Sequence, residues 1–135
     1  MFDQLTKYAD LPGRLAMALI FLVSGIGKIG TFAATQGYME AFGLPGFLLV
    51  PTIAFEIGAG LALAMGIGTR AAALLMAGFS LLTAFVFHRN FADQTQQIMF
   101  LKNIAMAGGF LLTAKYGASG LSVDVFLRRK RKAAQ

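Results

Sequence analysis

Four long apolar stretches separated by short polar breaks dominate the chain, and each is long enough to cross or nearly cross a bilayer. Crossing about 30 Å of hydrocarbon takes about 20 helical residues. The first stretch runs from about Leu11 to Ile29, with Pro12 in a first helical turn and Lys28 near the far end. The second, about Gly46 to Met65, follows the breaker Leu44-Pro45-Gly46 and carries Pro51 in its early turns, where a proline either begins regular helix or kinks it. The third, about Ala71 to Phe87, has no charge, and the fourth, about Ile98 to Ala114, contains Lys102. The polar segment His88 to Gln97 joins those two. A period of two, the mark of membrane β-strands, is absent from all four. The pattern predicts an all-α integral membrane protein, a four-helix bundle forming a single membrane domain over residues 1–135, with a tail from Lys115 onwards.

Composition strengthens this expectation. The chain is 57% hydrophobic and 13% charged, with a mean hydropathy of +0.68. A soluble domain of this size carries about twice that share of charge and has too little interior to bury so many apolar side chains. The uncharged part of the first stretch, Leu15 to Gly27, also has the length of a signal-peptide core. Against cleavage, Asp3 and Asp10 offset Lys7 and Arg14 in what should be a basic leader, and Lys28 precedes any plausible small-residue cleavage site, so the stretch reads as a retained helix.

The net charge of +6 comes almost entirely from Arg128, Arg129, Lys130, Arg131 and Lys132. This run, after a short amphipathic piece from Val123 to Leu127, reads as an anchor beside anionic headgroups, with the lipid bilayer rather than nucleic acid as partner. Short-loop charges predict the orientation. Lys7, Arg14, Arg70, Lys115 and the five terminal charges fall on one side, and Lys28, Arg89 and Lys102 on the other. Both termini are therefore expected in the cytoplasm.

That orientation gathers the polar residues into the outer half of the bundle. Lys28 ends the first helix, His88, Arg89, Asn90 and Asp93 begin the outer loop, and Lys102 and Asn103 lie about one turn inside the fourth helix. Glu56 is a charge within the second helix, where a carboxylate faces a partner or a wet cavity, and Lys102 is the partner expected for it. The same pair can equally serve helix packing alone. Gly58, Gly60, Ala62, Ala64 and Gly66 offer a small-residue surface, and Gly60, Gly108 and Gly109 are expected at close helix contacts.

The absence of cysteine removes disulfides and thiolate ligands, and His88 as sole histidine removes bis-histidine haem ligation within one chain. No Glu-x-x-His pair exists for a di-iron site, so no metal site is expected. Gly25-Ile26-Gly27-Lys28 is not a nucleotide fingerprint, because its glycines lie inside an apolar helix.

Four segments carry a family resemblance: FLVSGIGK at 21–28, FEIGAGLALAMGIGTR at 55–70, FHRNFAD at 87–93 and FLKNIAMAGG at 100–109. In order and spacing they resemble the DoxX family of small bacterial membrane proteins, over nearly the whole chain from Arg14 to Gly109. The resemblance implies a four-helix inner-membrane protein. It also implies an association with thiosulfate:quinone oxidoreduction, or with oxidative-stress and thiol homeostasis through partner proteins. It carries over no catalytic residue, so the site rests on the charges.

Together these readings predict an accessory or quinone-facing component of a membrane redox system rather than an enzyme on its own. The outward pocket of Glu56, Lys102, Asn103, Lys28 and the His88 to Asp93 loop would bind a quinone, and the partner would be a membrane or periplasmic redox protein or a second copy. Two other classes remain open: a small-solute transporter or lipid-binding protein using the same pocket, and a scaffold in which the charges only set packing.

Overall fold

The computed structural model describes residues 2–6 and 8–135. A short α1 (Phe2–Thr6) leads into α2 (Asp10–Gly30), followed by α3 (Phe32–Ala41). A 3-10 turn (Gly46–Leu48) runs into α4 (Leu49–Met65), and α5 (Thr69–Phe87), α6 (Gln94–Tyr116) and α7 (Val123–Ala133) complete the chain. No strand occurs among the described residues. Four segments are long and apolar enough to span a membrane: α2, α4 with its 3-10 turn, α5 and α6. Lys7, counted above among the basic residues of one side, lies outside the described residues.

The four expected spans are present, with three differences at their edges. A helix not anticipated from the sequence, α3, occupies residues 32–41. The outer loop is shorter than the polar segment suggests, because α6 starts at Gln94, where the Asp93 carboxylate caps it by accepting the Thr95 amide at 2.8 Å. The amphipathic piece and the basic run form one helix, α7, capped by Ser122.

Packing pairs α2 with α4 and α5 with α6, each pair antiparallel, with far fewer contacts between the pairs. Small residues permit the α2–α4 approach. A Cβ on Gly25 would meet Ile57 Cγ1 at 2.8 Å and Glu56 Cβ at 3.2 Å, and one on Gly60 would meet Leu22 Cδ2 at 3.0 Å. In a bilayer, where lipid is as apolar as leucine, such close approach is a main source of helix association. The core is built of Ala18, Phe21, Leu63, Ala73, Met76, Ala77, Ala107 and Phe110, with Phe21 meeting Phe110 edge-on at 5.5 Å. Large apolar side chains such as Leu19, Val23, Leu74, Leu82, Leu101 and Leu112 point outward instead. Small residues inside and bulky apolar residues outside suit a lipid-solvated surface.

At the end of the bundle where α2 begins and α6 ends, the turn Gly66-Ile67-Gly68-Thr69 is held by groups from three elements. Gly66 ends α4 in the left-handed conformation (φ 70°), with Ile67 N donating to Ala62 O at 2.8 Å and Gly66 N to Leu63 O at 3.2 Å. This is a Schellman motif, and glycine takes its left-handed position without the Cβ penalty. The Arg14 guanidinium, 1% exposed, donates to Leu63 O and Ala64 O at 2.9 Å and to Leu121 O at 2.8 Å. A cation thus sits on the carbonyl end of α4, where the helix dipole favours it. Asp124 supplies the cap that α5 lacks, accepting the Gly68 amide at 2.8 Å, the Thr69 amide at 2.9 Å and the Thr69 hydroxyl at 2.8 Å. Burial alone would push the Asp124 carboxyl up, but the Thr69 and Gly68 donors and the Arg128 charge outweigh it and hold the carboxyl below the usual carboxylate range.

Candidate functional site

Opposite that locked end, the α2–α4 and α5–α6 pairs separate around a cavity of about 710 Å³. This falls within the roughly 300–1,000 Å³ typical of small-molecule sites. Most of its wall is aliphatic or aromatic, with Phe21, Phe55, Phe79, Phe87 and Tyr38 among the lining residues. Because exposed residues such as Ile20, Pro51, Leu82 and Lys102 also line it, the cavity reaches the surface of the bundle.

Three residues of α2 and α4 build its charged wall. Ser24 and Lys28 stand one helical turn apart on α2, so they share a face. Gly25 lets that face press against Glu56, which is 4% exposed. Lys28 Nζ donates to Glu56 Oε2 at 2.9 Å and Oε1 at 3.0 Å, and to Ser24 Oγ at 2.5 Å. The Ser24 hydroxyl in turn donates to Glu56 Oε1 at 3.2 Å. Every oxygen of the buried carboxylate therefore has a donor, as a charge in low dielectric requires.

Lys28, not Lys102, is thus the ionic partner of Glu56. Lys102 also lines the cavity, but it is exposed and forms no ion pair within 4 Å among the described residues. Because α6 begins at Gln94, Lys102 is about 12 Å along the helix from its start rather than one turn in. Charge depth along each helix suggested the Glu56–Lys102 pairing, but the direction each helix faces decides it.

Five of the eight residues expected at the pocket line this cavity: Lys28, Glu56, His88, Lys102 and Asn103. His88 Nδ1 lies 2.7 Å from Gln96 Oε1, and Asn103 Oδ1 accepts from the Thr83 hydroxyl at 3.3 Å. Arg89, Asn90 and Asp93 are exposed and absent from the lining, and the Asp93 carboxylate caps α6. Of the glycines expected at helix contacts, Gly60 faces Leu22 and a Cβ on Gly109 would meet Met17 Sδ at 2.9 Å, whereas a Cβ on Gly108 would meet nothing within 4 Å. Among the described residues no group of three His, Cys, Asp or Glu could hold a metal.

Sequence reading missed the contribution of α3. Tyr38 stacks on Phe87 at 5.5 Å, and Phe42 meets both rings, at 4.9 Å and 5.2 Å. These rings tie α3 to the end of α5 beside the cavity, which Thr35, Tyr38 and Met39 help to line. A Cβ on Gly46 would collide with the Gln36 and Glu40 side chains, so glycine there lets α3 lie against the start of the 3-10 turn. The apolar spacing of Tyr38, Met39 and Phe42 was the available signal.

Comparison with known proteins places the chain in a family. A family model described as DoxX matches residues 9–89. The chain is similar to inner membrane protein YqjF of Escherichia coli (strain K12), 49% identical over 120 residues, covering 89% of this chain and 92% of that protein. It is also similar to inner membrane protein YphA of the same organism, 35% identical over 122 residues, covering 84% of this chain and 86% of that one. No solved structure matches the chain.

Proposed function

The chain belongs to the DoxX family as a multi-pass inner-membrane protein, and from that premise we propose that its cavity receives a lipid-soluble ligand of the quinone class on behalf of a membrane redox system. The observation that carries this reading is the cavity itself: aromatic and aliphatic walls surround a few placed polar groups and open to the bundle surface. The Phe55, Phe79 and Phe87 rings would offer apolar faces to a flat ligand ring, and an apolar tail would leave past exposed Ile20 or Leu82 into lipid.

The polar groups suit a carbonyl or hydroxyl head. Lys28 is neutralised by Glu56, which leaves Lys102 as a cationic donor in the wall. With Gln96 Oε1 as acceptor, His88 Nδ1 carries the proton and Nε2 keeps a lone pair able to accept from a ligand hydroxyl. A bound quinone supplies the electron-carrying chemistry, and a partner protein supplies the electrons. This chain orients the ring, excludes water and holds a proton at His88 Nδ1, while the Glu56 carboxylate stays paired with Lys28. A small polar solute would find few partners on so apolar a wall, so transport is the weaker alternative.

The reading is tested by titrating a decyl-substituted benzoquinone into protein held in nanodiscs. We expect saturable binding, weakened about tenfold by His88→Ala through the loss of one hydrogen bond, and abolished when Met106→Trp fills the cavity. Retention that is unaffected by Met106→Trp would mean that the quinone partitions only into lipid. Quinone-independent solute uptake by proteoliposomes would support the transporter instead.

With both termini cytoplasmic, as the Lys and Arg distribution favours, the cavity lies in the periplasmic half of the membrane. Cysteine introduced at Asn90 should then react with an impermeant thiol reagent in spheroplasts, and cysteine at Arg70 should not. The reverse labelling pattern would invert this orientation.

A further inference from the structure

The basic helix at the other end of the bundle has structure that an orientation signal does not require. Nothing in α7 is buried, and its five consecutive cations, Arg128 to Lys132, are all exposed. Val123, Phe126 and Leu127 share one side at helical spacing. Phe126 is 57% exposed and Leu127 47%, as is the preceding Leu121 at 68%. Lys130 reaches back over the Phe126 ring at 5.1 Å, so a charge lies beside the apolar side.

The helix is also fixed in place rather than trailing. Asp124 caps α5, its own amide donates to Gly66 O at 2.9 Å, and Arg128 Nη2 donates to Ala118 O at 3.3 Å. Arg14 holds Leu121 O, just ahead of the helix. Only residues 117–122 separate α7 from the end of the α6 span, so it begins where the bundle leaves the hydrocarbon.

We propose that α7 is an interfacial helix that docks on anionic phospholipid headgroups of the membrane the bundle spans, with Phe126 and Leu127 entering the headgroup–acyl boundary and Arg128 to Lys132 contacting phosphates. Charge complementarity selects an anionic surface, and the exposed aromatic–aliphatic side selects a lipid surface over a purely electrostatic partner. The Asp124 and Arg14 contacts hold the helix at the membrane edge, so docking bears directly on the α4–α5 turn. The inference concerns the end of the bundle remote from the quinone cavity and does not depend on that cavity's ligand.

The test is amide hydrogen exchange of the full chain in nanodiscs of phosphatidylcholine alone and of a phosphatidylcholine–phosphatidylglycerol mixture. Exchange over residues 126–133 should slow by about tenfold in the anionic discs. High salt should reverse the effect, since at about 1 M the Debye length falls to about 3 Å. Phe126→Ser, and separately glutamine at all five basic positions, should each remove most of the lipid dependence while the core around Met76 keeps its protection, showing that the bundle remains folded. Equal exchange in the two lipids would overturn the proposal. So would slowing that survives both sets of substitutions, or slowing that appears only when a soluble protein or nucleic acid is added.

Discussion

Replacing Arg14 with leucine is expected to destabilise the protein in detergent by at least about 3 kcal/mol, because Leu63, Ala64 and Leu121 each lose a charged donor at roughly 1–3 kcal/mol apiece. These carbonyls belong to the end of α4 and the segment before α7, and Arg14 brings both to α2. Asp10, 3.3 Å from Arg14 Nε, keeps a partner in Ser119 and so loses less. Arg14→Lys should recover little, since one ammonium cannot fork toward both helix-end carbonyls and Leu121 as a guanidinium does. Thermal unfolding would measure the loss, and hydrogen exchange across residues 66–70 and 121–127 would show whether the turn and α7 loosen together. Unchanged stability, or a full rescue by lysine, would mean that Arg14 does not hold these elements.

The contrast between Arg14 and the spans shows what could be read from the sequence. The spans were legible because the bilayer imposes a simple requirement, a long apolar helix, that composition alone expresses. Arg14 was legible only as a charge on one side of the membrane. Its acceptors lie 49, 50 and 107 positions away in the chain, and nothing local announces them. The starts of α5 and α6 moved outward from the apolar blocks for a related reason. Asp124 and Asp93 cap those helices, and capping extends a helix into polar sequence that hydropathy assigns to a loop. α3 escaped because a surface helix of ten residues needs no continuous apolar run. At the cavity, five of the expected residues came together because depth in the membrane follows from position along a helix. Azimuth does not, and so the partner of Glu56 was misassigned. The signal for the correct partner was present: a serine and a lysine one turn apart, with a glycine beside the serine, mark one close-approaching face of α2.

Glu56 and Lys28 are therefore expected to be coupled, and Glu56 and Lys102 are not. Glu56 is almost fully buried, and Lys28 is its cationic partner at 2.9 Å. Lys28→Met alone would strand the nearly buried Glu56 carboxylate in low dielectric, at about 3–5 kcal/mol, and Glu56→Gln should cost less, because the Lys28 side chain it leaves unpaired is 24% exposed. The double variant should recover much of that, because replacing both members of a buried pair leaves no uncompensated charge. Lys102→Met should cost little, and its effect should add to that of Glu56→Gln, since the two share no bond. The three-residue cycle, read as unfolding free energies in one detergent, separates the alternatives. Additivity between positions 28 and 56 would mean that the ion pair is not formed in the membrane. Coupling between 56 and 102 would mean that the carboxylate turns across the cavity toward α6, and the charged wall assigned to α2 would then belong to the opposite side.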